Sequence, residues 1–155
     1  MTITKKHKIL IAGVGNLLFS DEGIGVHVIR ELRQKALPPN VELVDLGTST
    51  FDLVGLMEGK DKVILVDAIA SEEPAGAVFK LTPEDLKSGK RKLLTSLHQL
   101  GVMETLEFAT RTGNIPEMVI IGITPKDYRS LGMELTPELK KALPQIVEVI
   151  LKEIE

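Results

Sequence analysis

The chain has 155 residues, no cysteine and a formal charge of -3. A chain of this length suits one domain that buries about 70% of its unfolded surface, and its mild acidity gives a nucleic-acid partner no support. The absent cysteines exclude disulfides, thiolate metal sites and cysteine nucleophiles together. Hydrophobic content of 43% and charged content of 26% are ordinary for a globular protein. No apolar stretch approaches the ~20 residues of a membrane span, so no membrane insertion is expected.

Lysines precede Ile9-Leu10-Ile11-Ala12, but the run breaks at Gly13 and soon meets Asp21-Glu22, so it reads as a strand rather than a signal peptide. A cytoplasmic protein is expected. The basic runs Lys5-Lys6-His7-Lys8 and Lys87-Ser88-Gly89-Lys90-Arg91-Lys92 read as solvated edges.

In chain order, Lys8 to Val14 is a buried strand that enters a tight turn at Gly13-Val14-Gly15-Asn16. A helix follows from about Asp21 to Ala36, with Ile24, Val28, Ile29, Leu32 and Ala36 on one stripe, and Leu37-Pro38-Pro39 stops it. Val41 to Leu46 is a second strand and Phe51 to Glu58 a short helix. Lys62 to Ala68 is a third strand, apolar on both faces and therefore central. Gly76 to Leu81 is a more exposed fourth strand, and Thr82-Pro83-Glu84 starts a brief helical turn. Leu100 to Thr110 has helical spacing, and Met118 to Ile123 is a fifth, doubly buried strand. From Thr136-Pro137-Glu138 a helical face of Leu139, Leu143, Ile146, Val147, Ile150 and Ile154 runs to the end, with a kink or an early break expected at Pro144. The alternation predicts a single three-layer αβα domain over residues 1–155. Its sheet is five-stranded and mostly parallel, with Gly76–Leu81 a candidate antiparallel edge.

Three residues stand where apolar runs give way to a loop or helix start: Glu22, Asp67 and His98. In an open α/β sheet the ends of adjacent strands meet in one crevice, where ligands bind. Two carboxylates and an imidazole can hold a divalent ion there, with positions open to a substrate. His7 lies in a lysine cluster and His27 on the polar side of its helix, which makes both weaker candidates. Asp21 and Glu22 also suit a helix start electrostatically. Gly23 and Gly25 do not, since each costs ~1 kcal/mol of helix propensity. They make sense if another backbone or a bulky substrate comes close. Gly13 and Gly15 open like a dinucleotide-binding turn and Asp45 closes the second strand as a ribose-binding acid would, but Leu18 stands where the third glycine belongs.

Taken together, Gly13-x-Gly15-Asn16 followed by Asp21-Glu22-Gly23-x-Gly25 resembles the N-terminal signature of the hydrogenase maturation endopeptidases. Asp45-x-Gly47-Thr48, Val66-Asp67-Ala68 and Ser96-Leu97-His98 follow in the family's order, with Leu97 where a Ser or Thr is more usual. The resemblance implies an endopeptidase that removes the C-terminal extension of the large-subunit precursor of NiFe hydrogenases. By position, Glu22, Asp67 and His98 would be its metal-contacting and catalytic residues. Gly13, Gly15, Asn16, Asp21, Gly23 and Gly25 would shape the cleft wall, and Asp45, Gly47 and Thr48 would border it. The family implies no permanently bound cofactor, because nickel arrives on the precursor, and zinc or cadmium could occupy the same place. A monomer is expected. Whether Glu22 or Asp67 acts as general base or only as a ligand stays open, and no Ser–His–Asp or Cys–His arrangement is supported. Two other readings remain, a nucleotide-binding module built on Gly13, Gly15 and Asp45, and a metallohydrolase that carries its own zinc.

Overall fold

Strands that are apolar on both faces need cover on both sides, and helices with a single apolar stripe supply it. The computed structural model describes residues 6–88, 97–113 and 115–155, with the side chains of residues 87 and 97–100 outside that description. The strands are β1 (Ile9–Val14), β2 (Val41–Gly47), β3 (Lys62–Ala68), β4 (Val78–Leu81) and β5 (Glu117–Ile123). They lie in the order β2-β1-β3-β5-β4. All neighbours are parallel except β4, which runs antiparallel to β5 at the edge. The expected fold class and its antiparallel edge are therefore present.

Helix α1 (Ile24–Arg33) and helix α5 (Pro137–Glu153) cover one face, and α2 (Leu53–Leu56) and α4 (Leu97–Thr112) cover the other. A short α3 (Pro83–Ser88) follows β4. The period of two divides the core. Ile9, Ile11, Ile64, Val66, Val119 and Ile121 meet Ile24, Val28, Leu32, Leu139 and Ile146. Leu10, Ala12, Val63, Leu65 and Ile120 meet Leu53, Val102 and Leu106. Near the amino end of β3, Glu153 accepts from Lys62 and Lys80, each 2.9 Å away, and this ties the end of α5 to β3 and to the antiparallel β4. None of the described helices is long and apolar enough to cross a membrane.

Several boundaries differ from the expectation. The first helix does not run from Asp21 to Ala36, because a 3₁₀ turn at Ser20–Gly23 precedes α1, which ends at Arg33. The turn exists because Asp21 is pulled sideways into another loop, as described below. The segment Phe51–Glu58 is a 3₁₀ turn at Thr50–Asp52 followed by the single turn α2. The fourth strand begins at Val78, since Gly76 turns with a φ of 89°. The last helix passes Pro144 without ending. One lost backbone bond is offset by Leu139, Ile146, Val147 and Ile150, whose burial holds the helix on both sides of the proline. The run Lys87–Lys92 falls largely outside the described residues.

The approach of α1 to the sheet sets the geometry of everything above it. A Cβ on Gly25 would lie 2.4 Å from the carbonyl oxygen of Val14 and 2.5 Å from that of Val66. Gly25→Ala therefore forces backbone apart and is expected to cost ~3 kcal/mol in denaturant unfolding. Gly55, in α2, has nothing within 4 Å of such a Cβ. Gly55→Ala is expected to be neutral or stabilising by up to about 1 kcal/mol in the same measurement.

Candidate functional site at the crossover between the first and third strands

Strand order reverses between β1 and β3, since β2 lies to one side of β1 and β3 to the other. Their carboxyl ends therefore open into a crevice. Asp67 is the penultimate residue of β3, beside Gly122 of β5. Glu22 follows β1 in the 3₁₀ turn. The two carboxyl groups interact electrostatically across this crevice.

Asp67 is 4% exposed, and its buried Oδ1 has no hydrogen-bond partner among the described residues. Burial pushes its carboxyl well above the usual carboxylate range, the Ala68 amide pulls the other way, and the negative charge of Glu22 raises it further. Glu22 is partly exposed at the rim. Its backbone is fixed by Gly15, whose φ is 145° and where a Cβ would stand 2.0 Å from the Glu22 carbonyl oxygen. The glycines of this signature thus admit the chain's own backbone.

Asp21 has a different fate from its neighbour. It is fully buried. Its Oδ2 accepts from the backbone N–H groups of Lys126 and Asp127 at 2.9 and 3.0 Å. Its Oδ1 accepts from the Thr136 N–H at 2.8 Å, and the Thr136 hydroxyl donates to the same carboxylate. Asp21 is therefore not a free cleft wall. It stitches the turn after β1 to the segment between β5 and α5, helped by Ser20 N–H on Gly132 O and Gly132 N–H on Leu18 O. Gly23 packs on Leu17, and Asn16 Oδ1 accepts the Leu18 N–H. Across the crevice, Asp45 Oδ1 accepts the Gly47 N–H at 2.9 Å, and Thr48 is exposed beyond it. Gly15 N–H donates to Gly47 O, joining the two loops.

His98 lies in the first turn of α4 rather than before the helix, and its side chain is outside the described residues. Helix α4 leads into the amino end of β5, so its own start returns to the crevice end of the sheet. Among the described residues no three acidic or histidine side chains cluster as a metal site. His27, expected on the polar side of α1, is instead half-buried, and its Nε2 has no hydrogen-bond partner among the described residues. Burial and the charge of Arg30 hold it below the usual imidazole value, while the Met133 backbone acts in the opposite direction.

The raised Asp67 carboxyl has a thermodynamic consequence. Its folded form holds a proton that the unfolded chain releases near pH ~4, so stability falls as pH rises from there towards the folded value. Asp67→Asn removes this loss. The melting temperature of the variant relative to the parent is expected to increase as pH rises above about 4, and a difference independent of pH would contradict the burial of this group.

The hydrogenase maturation protease family model matches residues 26–153. The hydrogenase expression/formation protein HupD of Bradyrhizobium diazoefficiens is 33% identical over 152 residues, covering 96% of this chain and 78% of that protein. The hydrogenase 2 maturation protease of Escherichia coli is 34% identical over 147 residues, covering 93% and 88%. The structure of the hydrogenase maturating endopeptidase HybD from E. coli superposes with a TM-score of 0.84 at 32% identity, covering 95% of this chain and 91% of the other. A match over this much of the chain, on the fold that brings Glu22 and Asp67 to one crevice, shows that the chain belongs to the hydrogenase maturation protease family and is a peptidase.

Proposed function

We propose that this peptidase removes the C-terminal extension of a NiFe-hydrogenase large-subunit precursor, and that it does so when the precursor already carries nickel. The observation that supports this most is the buried Oδ1 of Asp67 at the strand crossover, which has no hydrogen-bond partner among the described residues and lies within the electrostatic reach of Glu22. A buried carboxyl oxygen without a donor is costly unless a cation or donor arrives during function. The reading takes Glu22, Asp67 and His98 as the groups that meet the substrate's nickel. Oxygen and imidazole donors without thiolate suit brief contact with a borderline cation better than permanent tight retention. The ion would polarise the scissile carbonyl and acidify an attacking water. Whichever of Glu22 and Asp67 is not engaged with it can take the water's proton. On this reading the enzyme has no resident metal and works in the cytoplasm as a monomer.

Incubation with nickel-loaded and nickel-free precursor tests the role of the ion. Cleavage of the loaded form only is expected. Equal cleavage of both removes nickel recognition, and cleavage of neither removes the substrate assignment. Metal analysis after chelator-free purification should find no stoichiometric ion, and a full equivalent of zinc would favour an ordinary metallohydrolase. His98→Ala is expected to lower kcat/KM by at least about a thousandfold, ~4 kcal/mol of transition-state stabilisation. Its denaturation midpoint should stay close to that of the parent, and marked destabilisation would make His98 a structural residue.

A further inference from the structure

On the α2–α4 face, a groove of about 340 Å³ runs between the Thr50–Asp52 turn and helix α4. Its floor is a close contact. A Cβ on Gly101 would stand 2.7 Å from Thr50 Oγ1, so the helix rests directly on the Thr50 side chain. Its walls are two phenylalanines that the core does not use. Phe51 is 61% exposed and Phe108 45% exposed, and their rings lie 5.3 Å apart at 57°. Large apolar side chains paired at the surface mark interaction sites more often than solitary ones do. The rim carries Glu104 and Glu107, both exposed, and Arg111 stands one turn further along α4. The groove is therefore acidic and aromatic over most of its length and basic only at the end away from His98.

Ring faces and carboxylates together attract a cation. The Thr50–Asp52 turn follows the carboxyl end of β2, so the groove has one end on the side of the sheet where Asp67 and Glu22 lie. We propose that this groove binds a lysine or arginine side chain of the polypeptide being cut, with the charged head between the phenylalanine rings and the carboxylates of Glu104 and Glu107. The inference rests on the substrate assignment above, because it makes the occupant a segment of that precursor. Arg111 turns the occupant's basic side chain towards the His98 end and disfavours the reverse direction.

The direct test titrates the full chain with the capped peptides Gly-Arg-Gly-Gly and Gly-Glu-Gly-Gly while the ring resonances of Phe51 and Phe108 are followed. Saturable shifts with the arginine peptide alone are expected, with affinity at least about fivefold lower in Phe108→Ala and in the Glu104→Gln/Glu107→Gln double variant. Affinity in Arg111→Ala should be equal or higher. Equal response to both peptides, or shifts only elsewhere, overturns the proposal. With precursor as substrate, the double variant should raise KM about tenfold and leave kcat within about twofold. An unchanged KM removes the groove and leaves the substrate assignment standing. Failure of the parent enzyme to cut the precursor removes that assignment, and the peptide titration still decides whether the groove takes a cation.

Discussion

Two backbone segments touching with no side chain between them set the position of the acidic pair. Gly15 lies against the carbonyl of Glu22, and Gly25 lies against the carbonyls of Val14 and Val66. These contacts hold the start of α1 closer to β1 and β3 than any alanine would permit. Glu22 is one turn before that contact and Asp67 one residue past it. Their electrostatic interaction is thus a consequence of chain geometry before it is one of chemistry. Glycine in a first helical turn is locally unfavourable. Here the local cost is offset by a tertiary contact that only glycine can make.

The two ends of the sheet are built to different rules. At the amino end, Glu153 sits between Lys62 and Lys80, and the Lys62 ammonium also donates to the Glu153 carbonyl. Charge there is compensated, and it ties the last helix to two strands. At the carboxyl end, Asp67 is buried without an ion-pair partner among the described residues and next to another acid. A fold selected for stability alone would pair or replace such a group. The uncompensated end is the one where an α/β sheet binds ligands.

Elements with strong periodicity were legible in the sequence, and their exact limits were not. The central strand Lys62–Ala68 could be read because a run apolar on both faces fits only a covered position. The antiparallel edge strand was legible from its weaker hydrophobicity. The start of α1 was misplaced because Asp21 satisfies the rules for a helix start, while its actual partners, Lys126, Asp127 and Thr136, lie more than a hundred residues away. Long-range hydrogen bonds leave no local pattern. The same applies to His27, whose half-burial depends on a distant segment that reaches Met133. Glu22 and Asp67 could be singled out because a lone acid at the end of an apolar run has few structural uses. The groove of Phe51 and Phe108 was invisible, since two aromatics so far apart in sequence carry no signature of being neighbours.

Asp21, Glu22 and Asp67 carry the same functional group, and the backbone around each decides what it can do. Asp21 receives three backbone N–H groups and a hydroxyl, so no capacity is left for a ligand. Removing it would loosen the loop that roofs the turn. Asp67 receives little: one oxygen is buried with no hydrogen-bond partner among the described residues, and burial makes its charged form expensive. Glu22 stands between these extremes, anchored by its main chain and partly exposed at its side chain. The pair therefore joins one buried carboxyl, whose charged form is disfavoured, to one carboxyl that is partly exposed. On the proposed reading, this difference in surroundings is what separates the group that meets the ion from the group that takes the water's proton. The fully satisfied Asp21 is what keeps the other two apart in character, since it fixes the turn that places Glu22 at the rim instead of in the core.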